Sequence, residues 1–447
     1  MGRFIRVALA LSLVIMTASA LAQTRDHPPE VTAWIEQVRE AHAGTTISVS
    51  MASHPSTDAF RAMVDEFTAL TGVRVEWDLI SEAHLRPNHL ALASAGASPF
   101  DVWMVDGFYI SEYVSADTLI PIADFTADPA LTPEWFDYED ILPAYRLAIA
   151  TVDGEAYAVP TAGESRFIAY RTDLFEEHGI APPQTTDELL DAATYFAENV
   201  PGVHGMVSRA RTGIFFASGW LHVLYQFSDG WIDQETGEIL AGSQDVIDSL
   251  DYWVSLLRTG PPDIAAFTHE EASATFNAGD AALWFDATAI ATWLLDPDRS
   301  EVYDRVGFLP PPEGPMGRFG ALAGWNIAVP RLAPNPEAAW AFVVWMTSRY
   351  NARTYLDSGG VLVRSSSLTD PEIAATHPGM FEALLATFDA AEALSNRGLV
   401  WIPPTWLAYG VLQVAGDLGS QALLGDLTPE QAMQELAMEL EDLLEAQ

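Results

Sequence analysis

The sequence predicts an α/β protein whose chain passes out of one sheet-forming region into a second, and three observations predict it. Between Ile47 and Leu79 the hydrophobic period runs from two to 3.6 and back to two, which reads as strand, helix and strand joined in a parallel βαβ unit. Near the middle of the chain, the proline-containing turn stretch from Gly179 to Gln184 is followed by Thr185 and Glu188, a capping box that opens a new helix. The chain also has 447 residues, 49% of them hydrophobic, which is enough core for two or three packed units.

In chain order, Pro28 to His42 reads as a short helix, with Val31, Trp34, Ile35 and Val38 at helical spacing and Gly44 as its stop. Ile47, Val49 and Met51 alternate as a strand that runs into the polar break Ala52-Ser53-His54-Pro55. Phe60, Met63, Val64, Phe67 and Leu70 then share one helical face, Gly72 ends that helix, and Val73, Val75, Trp77 and Leu79 alternate again. A helix around His84 to Ser94 leads to the short strand Val102 to Val105, closed by Asp106-Gly107, and Tyr157 to Pro160 and Phe167 to Tyr170 are further strands. Beyond the crossing lie the helix Gln244 to Leu257 and the segment Thr275 to Asp286, read as helix end, Gly279 and strand. Pro310-Pro311-Pro312 leads to the apolar run Ile327 to Val329. Asn335 then caps a long apolar helix with Pro336 at its first position, and Thr428-Pro429 starts a last helix striped with Met433, Leu436, Leu440 and Leu443.

Composition removes several chemistries. There is no cysteine, so disulfides, thiol nucleophiles and thiolate metal sites are excluded. All 21 basic residues are arginine, which excludes a Walker lysine and a Schiff base. A formal charge of -41 repels nucleic acid and anionic lipid alike. Such an acidic, lysine-free chain fits two origins, adaptation to concentrated salt or biased codon usage, and the change of melting temperature between low and molar salt separates them. Arg3 and Arg6 before the apolar run Val7 to Ile15, then Ser19-Ala20-Leu21-Ala22, read as an export leader cleaved after Ala22. No later stretch is long and apolar enough to span a bilayer, so no direct membrane insertion is expected.

Catalytic motifs are absent: no G-x-S-x-G elbow, no H-E-x-x-H, no EF-hand loop and no dinucleotide turn in context. The closest histidines, His84 and His89, are five residues apart and do not share a helical face, so neither a metal nor another cofactor is expected. The aromatics say more. Several of the 14 tryptophans adjoin glycine or polar residues, as in Gly219-Trp220, Trp284-Phe285-Asp286, Gly324-Trp325-Asn326 and Pro404-Thr405-Trp406, whereas Trp253, Trp340 and Trp345 lie on helical stripes and belong to the core. Indole faces stack on the C–H faces of sugars while carboxylates, amides and arginine take the hydroxyls, so this pairing suits carbohydrate.

The order of segments resembles the extracellular solute-binding proteins of family 1, the carbohydrate-capturing subunits of ABC importers. The resemblance runs from about Thr45 to the last helix and is carried by the stretch Phe67 to Val75, by Ser98-Pro99-Phe100-Asp101-Val102, and by Asp153 to Pro160. Tyr170-Arg171-Thr172-Asp173-Leu174-Phe175, Ala281 to Asp286, Gly324 to Val329 and Asn335 to Ala339 complete it. It implies a two-lobed, type II-like periplasmic binding fold, each lobe a mostly parallel sheet flanked by helices, with a hinge of several crossings. The expected division is a leader over 1–22, a helical extension over 23–44, one lobe from 45–180 plus 284–330 and the other from 181–283 plus 331–447. Ala162-Gly163-Glu164-Ser165 before a Tyr-Arg-Thr-Asp-Leu strand resembles the branch that captures polyols and small sugars.

That resemblance implies a periplasmic receptor, expected to be monomeric, that closes on a carbohydrate or polyol and delivers it unaltered to the transmembrane subunits of an ABC permease. Strand ends and family position together nominate His54, Asp106, Glu164, Arg166, Trp284, Asp286, Trp325, Asn326 and Arg364 as ligand-binding, with Trp220, beside Tyr225, last. Arg166 stands where the polyol branch prefers a small or uncharged residue, so an acidic sugar held by Arg166 stays open. Two other readings compete. An exported glycoside hydrolase or lyase needs paired carboxylates and would form product, and an adhesion protein would show a flat apolar patch in place of a cleft.

Overall fold

The computed structural model describes residues 25–399, 401 and 408–445, so the leader over 1–22 and the segment Pro404-Thr405-Trp406 lie outside the described residues. The first sheet grows from the βαβ unit. β1 (Thr46–Ala52) buries Ile47, Val49 and Met51, and the chain leaves it at His54, whose Nδ1 accepts the Ser56 amide at 3.1 Å and caps the helix Pro55–Thr71. Pro55 sits in the first turn, where no amide donor is missed, and Gly72 ends the helix at φ +75°, a left-handed conformation that glycine adopts without strain. β2 (Arg74–Ile80) returns parallel to β1, with Thr46 opposite Arg74, and β3 (Val102–Asp106) pairs parallel on the other side of β1.

A two-stranded hairpin, β4 (Thr151–Val152) with β5 (Glu155–Ala156), precedes β6 (Val159–Glu164). The chain then passes through Ser165 alone into β7 (Arg166–Arg171), the first strand of the second sheet. β8 (His204–Val207), β9 (Ala281–Ala287) and β10 (Val306–Leu309) complete that sheet in the order β10-β7-β9-β8, and β11 (Ala323–Ala328) returns to the first, whose order is β2-β1-β3-β11-β6. Each sheet is parallel except for one strand. β11 runs against β3 and β6, and β7 runs against β9 and β10. These are the two strands that enter directly from the other lobe. They start at the cleft, where the resident strands finish, and must therefore point the opposite way.

This explains where the lobe boundaries drawn from sequence fail. β7, β9 and β10 belong to the second sheet, although 45–180 and 284–330 were assigned to the first lobe. The helix Pro336–Met346, assigned to the second lobe, packs on the first, where Phe342 meets Phe60 at 6.3 Å and Phe67 at 5.7 Å. A one-residue crossing carries no proline or glycine signal, and the turn over 179–184 joins two helices within the second lobe.

The helix Pro29–His42 is part of the first lobe's core: Val31, Trp34, Ile35 and Val38 are buried, and Trp34 meets Trp135 edge-on at 5.4 Å. Thr185 and Glu188 form the expected capping box, and Trp253, Trp340 and Trp345 are buried. The long helices Pro378–Asn396, Ala408–Leu424 and Pro429–Glu445 close the second lobe, the last with Met433, Leu436 and Leu440 inside.

Candidate functional site

Strand ends from both sheets converge where the chain crosses between them. β1 delivers His54, β3 delivers Asp106 and β6 delivers Glu164; from the second sheet β7 opens with Arg166, β8 runs into Arg209 and β9 carries Asp286 one residue before its end. Ser165 is held by a reciprocal pair with Thr288, amide to Oγ1 at 3.0 Å and Thr288 amide to Ser165 carbonyl at 3.0 Å. The crossing thus fixes Glu164 and Arg166, one on each lobe, against one another.

The charges there are paired in a definite order. Because Nδ1 of His54 accepts the Ser56 amide, its proton sits on Nε2, which donates to Glu164 Oε1 at 2.9 Å. Burial pushes the Glu164 carboxyl up, but the His54 hydrogen bond and the charges of Arg166 and Arg209 outweigh it and hold the group below the usual carboxylate range. Arg166 is 3% exposed; its Nη1 donates to the Ser165 carbonyl at 3.2 Å and lies 3.7 Å from Glu164, and its guanidinium sits 4.9 Å over the Trp401 ring. Burial, then the like charge of Arg209, brings Arg166 down to about 10. Arg209 Nε bonds both oxygens of Asp286, at 2.9 and 3.1 Å, so that the buried carboxylate stays well below its usual range despite desolvation.

Asp106 behaves oppositely. One oxygen accepts the Phe108 amide at 3.0 Å, but burial of the carboxyl, with Glu82 and Glu164 adding negative charge, pushes it up to about 8. At neutral pH it is therefore mostly a neutral acid, able to donate a hydrogen bond as well as accept one.

Beside this layer lies a cavity of about 180 Å³. Glu82, Arg86, Asp106, Tyr109 and Trp325 bound it from the first lobe, and Arg211, Thr212, Phe215 and Gln413 from the second. Other contacts bridge the lobes: Glu82 Oε2 to His269 Nδ1 at 3.8 Å and Phe108 to Trp401 at 5.2 Å, and, at a separate pocket between the lobes, Asp58 to Arg299 at 2.9 Å. Among the described residues no helix is long and apolar enough to cross a membrane. Two α/β lobes with a cavity between them, bordered by aromatic and charged side chains of both, form the architecture of a receptor, and residues 52–351 match the bacterial extracellular solute-binding proteins. The chain belongs to that family.

Relatives of this solute-binding protein include a mannitol-binding protein of Pseudomonas aeruginosa, 27% identical over 377 residues, spanning 81% of this chain and 84% of the relative. An erythritol/L-threitol-binding protein of Mycolicibacterium smegmatis is 23% identical over 375 residues, 79% of this chain and 77% of the relative. Among solved structures, a solute-binding protein of Agrobacterium radiobacter in complex with ribitol superposes with a TM-score of 0.81 at 22% identity, covering 90% of this chain and 99% of that one. One from Agrobacterium vitis with bound D-mannitol gives 0.80 at 24% identity, with the same coverage. At that identity the likeness fixes the two-lobed fold.

In this solute-binding protein, the residues nominated from sequence fall into three groups. Asp106 and Trp325 line the cavity; His54, Glu164, Arg166 and Asp286 form the paired layer at the crossing. The rest lie elsewhere. Trp284 is fully buried in β9, edge-on to Phe167 at 6.4 Å, and Trp220 is fully buried with its indole donating to Ser249 Oγ at 3.0 Å. The Asn326 amide donates to the Ile149 carbonyl at 2.8 Å, and Arg364 donates to the Thr347 and Asp137 carbonyls at 2.8 and 2.7 Å, tying loops of the first lobe together. Sequence reasoning missed Glu82, Tyr109, Arg209, Arg211, Thr212, Phe215 and Gln413. Arg209 and Arg211 follow β8 as His54 follows β1, so the same strand-end rule finds them once His204–Val207 is read as a strand.

Proposed function

We propose that the protein captures a polyol or small sugar in the cavity between its lobes and hands it, unaltered, to the transmembrane subunits of an ABC importer. Export to the periplasm with cleavage after Ala22 and action as a monomer belong to the same reading. The observation that carries it is a cavity of about 180 Å³ between the lobes, bordered by Asp106 at the end of β3 and Trp325 on β11 from one side and by Arg211, in the loop after β8, from the other, and presenting the Tyr109 and Phe215 rings as well. Relatives named for mannitol and for erythritol and threitol support a polyol.

In this reading Trp325 offers a ring for the ligand's C–H face, while Asp106 and Glu82 take hydroxyls. His54, Glu164, Arg166, Arg209 and Asp286 hold the crossing in register, so that few polar groups need reorder on binding. Closure about Ser165 and the other crossings then removes the ligand from water, and the closed form is what the permease reads. No bond is made or broken.

Thermal shift and titration calorimetry across tetritols, hexitols, hexoses and disaccharides test this. A polyol or monosaccharide raises the melting temperature by linkage and is recovered chemically unchanged. Formation of product from any glycan, or absence of binding across the panel, contradicts it.

A further inference from the structure

We infer that the ligand is a sugar acid, a hydroxylated chain ending in a carboxylate, whose anion is held by Arg211 and the N-terminus of the helix Ile214–Phe227 while Glu82 and Asp106 take its hydroxyls. This rests on the capture reading above and adds the ligand's charge.

The argument starts from the arginines. Among the described residues only Arg61 and Arg211 neither pair with a carboxylate nor donate a side-chain hydrogen bond; the others do one or both. Arg61 is exposed on the helix Pro55–Thr71, where water solvates it. Arg211 is half-buried on the cavity wall, its guanidinium 4.2 Å over the Phe215 ring. Glu271 lies near enough for the charge of Arg211 to help lower its carboxyl, but no ion pair or side-chain hydrogen bond joins the two, so the half-buried guanidinium keeps its donors for a bound anion.

The backbone beside it points the same way. The helix Ile214–Phe227 begins two residues after Thr212 with Gly213 as its cap residue, so no side chain caps its first amides, and Ile214 and Phe215 open onto the cavity. The other cations are committed. Arg86 is bonded to Glu112 at 2.7 Å and 2.6 Å, Arg209 to Asp286, and Arg166 is not on the cavity wall. Across the cavity, Glu82 accepts no hydrogen bond among the described residues, and the imidazole nearest it, His269 with Nδ1 at 3.8 Å, is held below the usual histidine range by burial. Glu82, and the Asp106 oxygen not taken by the Phe108 amide, face the Arg211 guanidinium across the cavity, an arrangement that complements a molecule with hydroxyls along its length and a carboxylate at one end.

Calorimetry of the mature protein with D-gluconate and D-glucitol tests the charge, because the two share a hydroxylated six-carbon chain and differ in the terminal carboxylate. Gluconate is expected to bind about ten- to a hundredfold more tightly, the worth of hydrogen bonds to a charged group, and to weaken with added salt. Arg211→Gln is expected to remove most of the preference for gluconate over glucitol, and Arg211→Lys to keep part of it. Equal or tighter binding of glucitol by the unsubstituted protein overturns the inference and leaves polyol capture standing. So does an equal loss of both ligands in Arg211→Gln with an unchanged circular-dichroism spectrum. Binding of neither acid, polyol, hexose nor disaccharide overturns the capture reading and this inference together.

Discussion

Substitution of Asp286 is the sharpest test of the paired layer. Asp286 is fully buried, and its carboxylate takes two bonds from Arg209 Nε and one from the Ala287 amide at 2.6 Å. Asp286→Ala leaves Arg209 buried without its counter-charge and close enough to Arg166 for the two cations to repel. Stranding one partner of a buried ion pair costs about 3–5 kcal/mol. Replacing both together, Arg209→Met with Asp286→Leu, removes the stranded charge and is expected to recover most of that loss. The pH dependence follows with a definite sign. The carboxylate is depressed in the folded state, so its stabilisation is present above the ordinary Asp range and is lost as pH falls through that range and below. The assay is urea unfolding of the single and double variants between pH 3 and 7. A single variant that loses less than about 1 kcal/mol, or a double variant no more stable than the single, refutes the argument.

Other expectations follow from the same geometry. The Asp106 carboxyl is raised to about 8, so its neutral form is favoured in the fold; ligand affinity is expected to fall as pH rises through 8, and Asp106→Asn to flatten that profile in titrations from pH 6 to 9. Trp325→Ala is expected to weaken ligand binding about ten- to a hundredfold by removing the ring that lines the cavity, and, because the rest of the ring is buried, to lower the unliganded melting temperature as well, so binding is compared by calorimetry below that transition. Phe342→Ala opens a void between the helices Pro55–Thr71 and Pro336–Met346 and is expected to cost about 3–5 kcal/mol in urea unfolding while leaving the strand ends in place.

Local rules made much of this fold legible, and the reason for the misses is equally local. The βαβ unit could be read because its period changes are set by which face each element buries, and the capping box at Thr185 because its bonds are made within four residues. The crossing at Ser165 could not, because β6 and β7 are separated by one residue and read as neighbours in a single sheet. For the candidate site, the strand-end rule points to His54, Glu164 and Arg166, which lie at the crossing between the sheets, and to Asp106, which borders the cavity. β8 escaped because it has only four residues and contains Gly205, where a Cβ would sit 2.1 Å from the Ala193 carbonyl oxygen. Glycine beside tryptophan misled for the same reason: Gly219 precedes Trp220 because a Cβ there would come within 2.6 Å of the Arg209 carbonyl oxygen, a demand of helix packing. Trp325 does border the cavity, but because β11 enters the sheet at the cleft.

A crystal structure of the mature protein with a hexitol or its aldonate tests the central claim most directly. The account predicts one intact molecule in the cavity between the two sheets, with Trp325 against its carbon chain and Asp106 and Glu82 within hydrogen-bonding distance of its hydroxyls. A ligand found on the outer face of either lobe, or cleaved in the crystal, contradicts it.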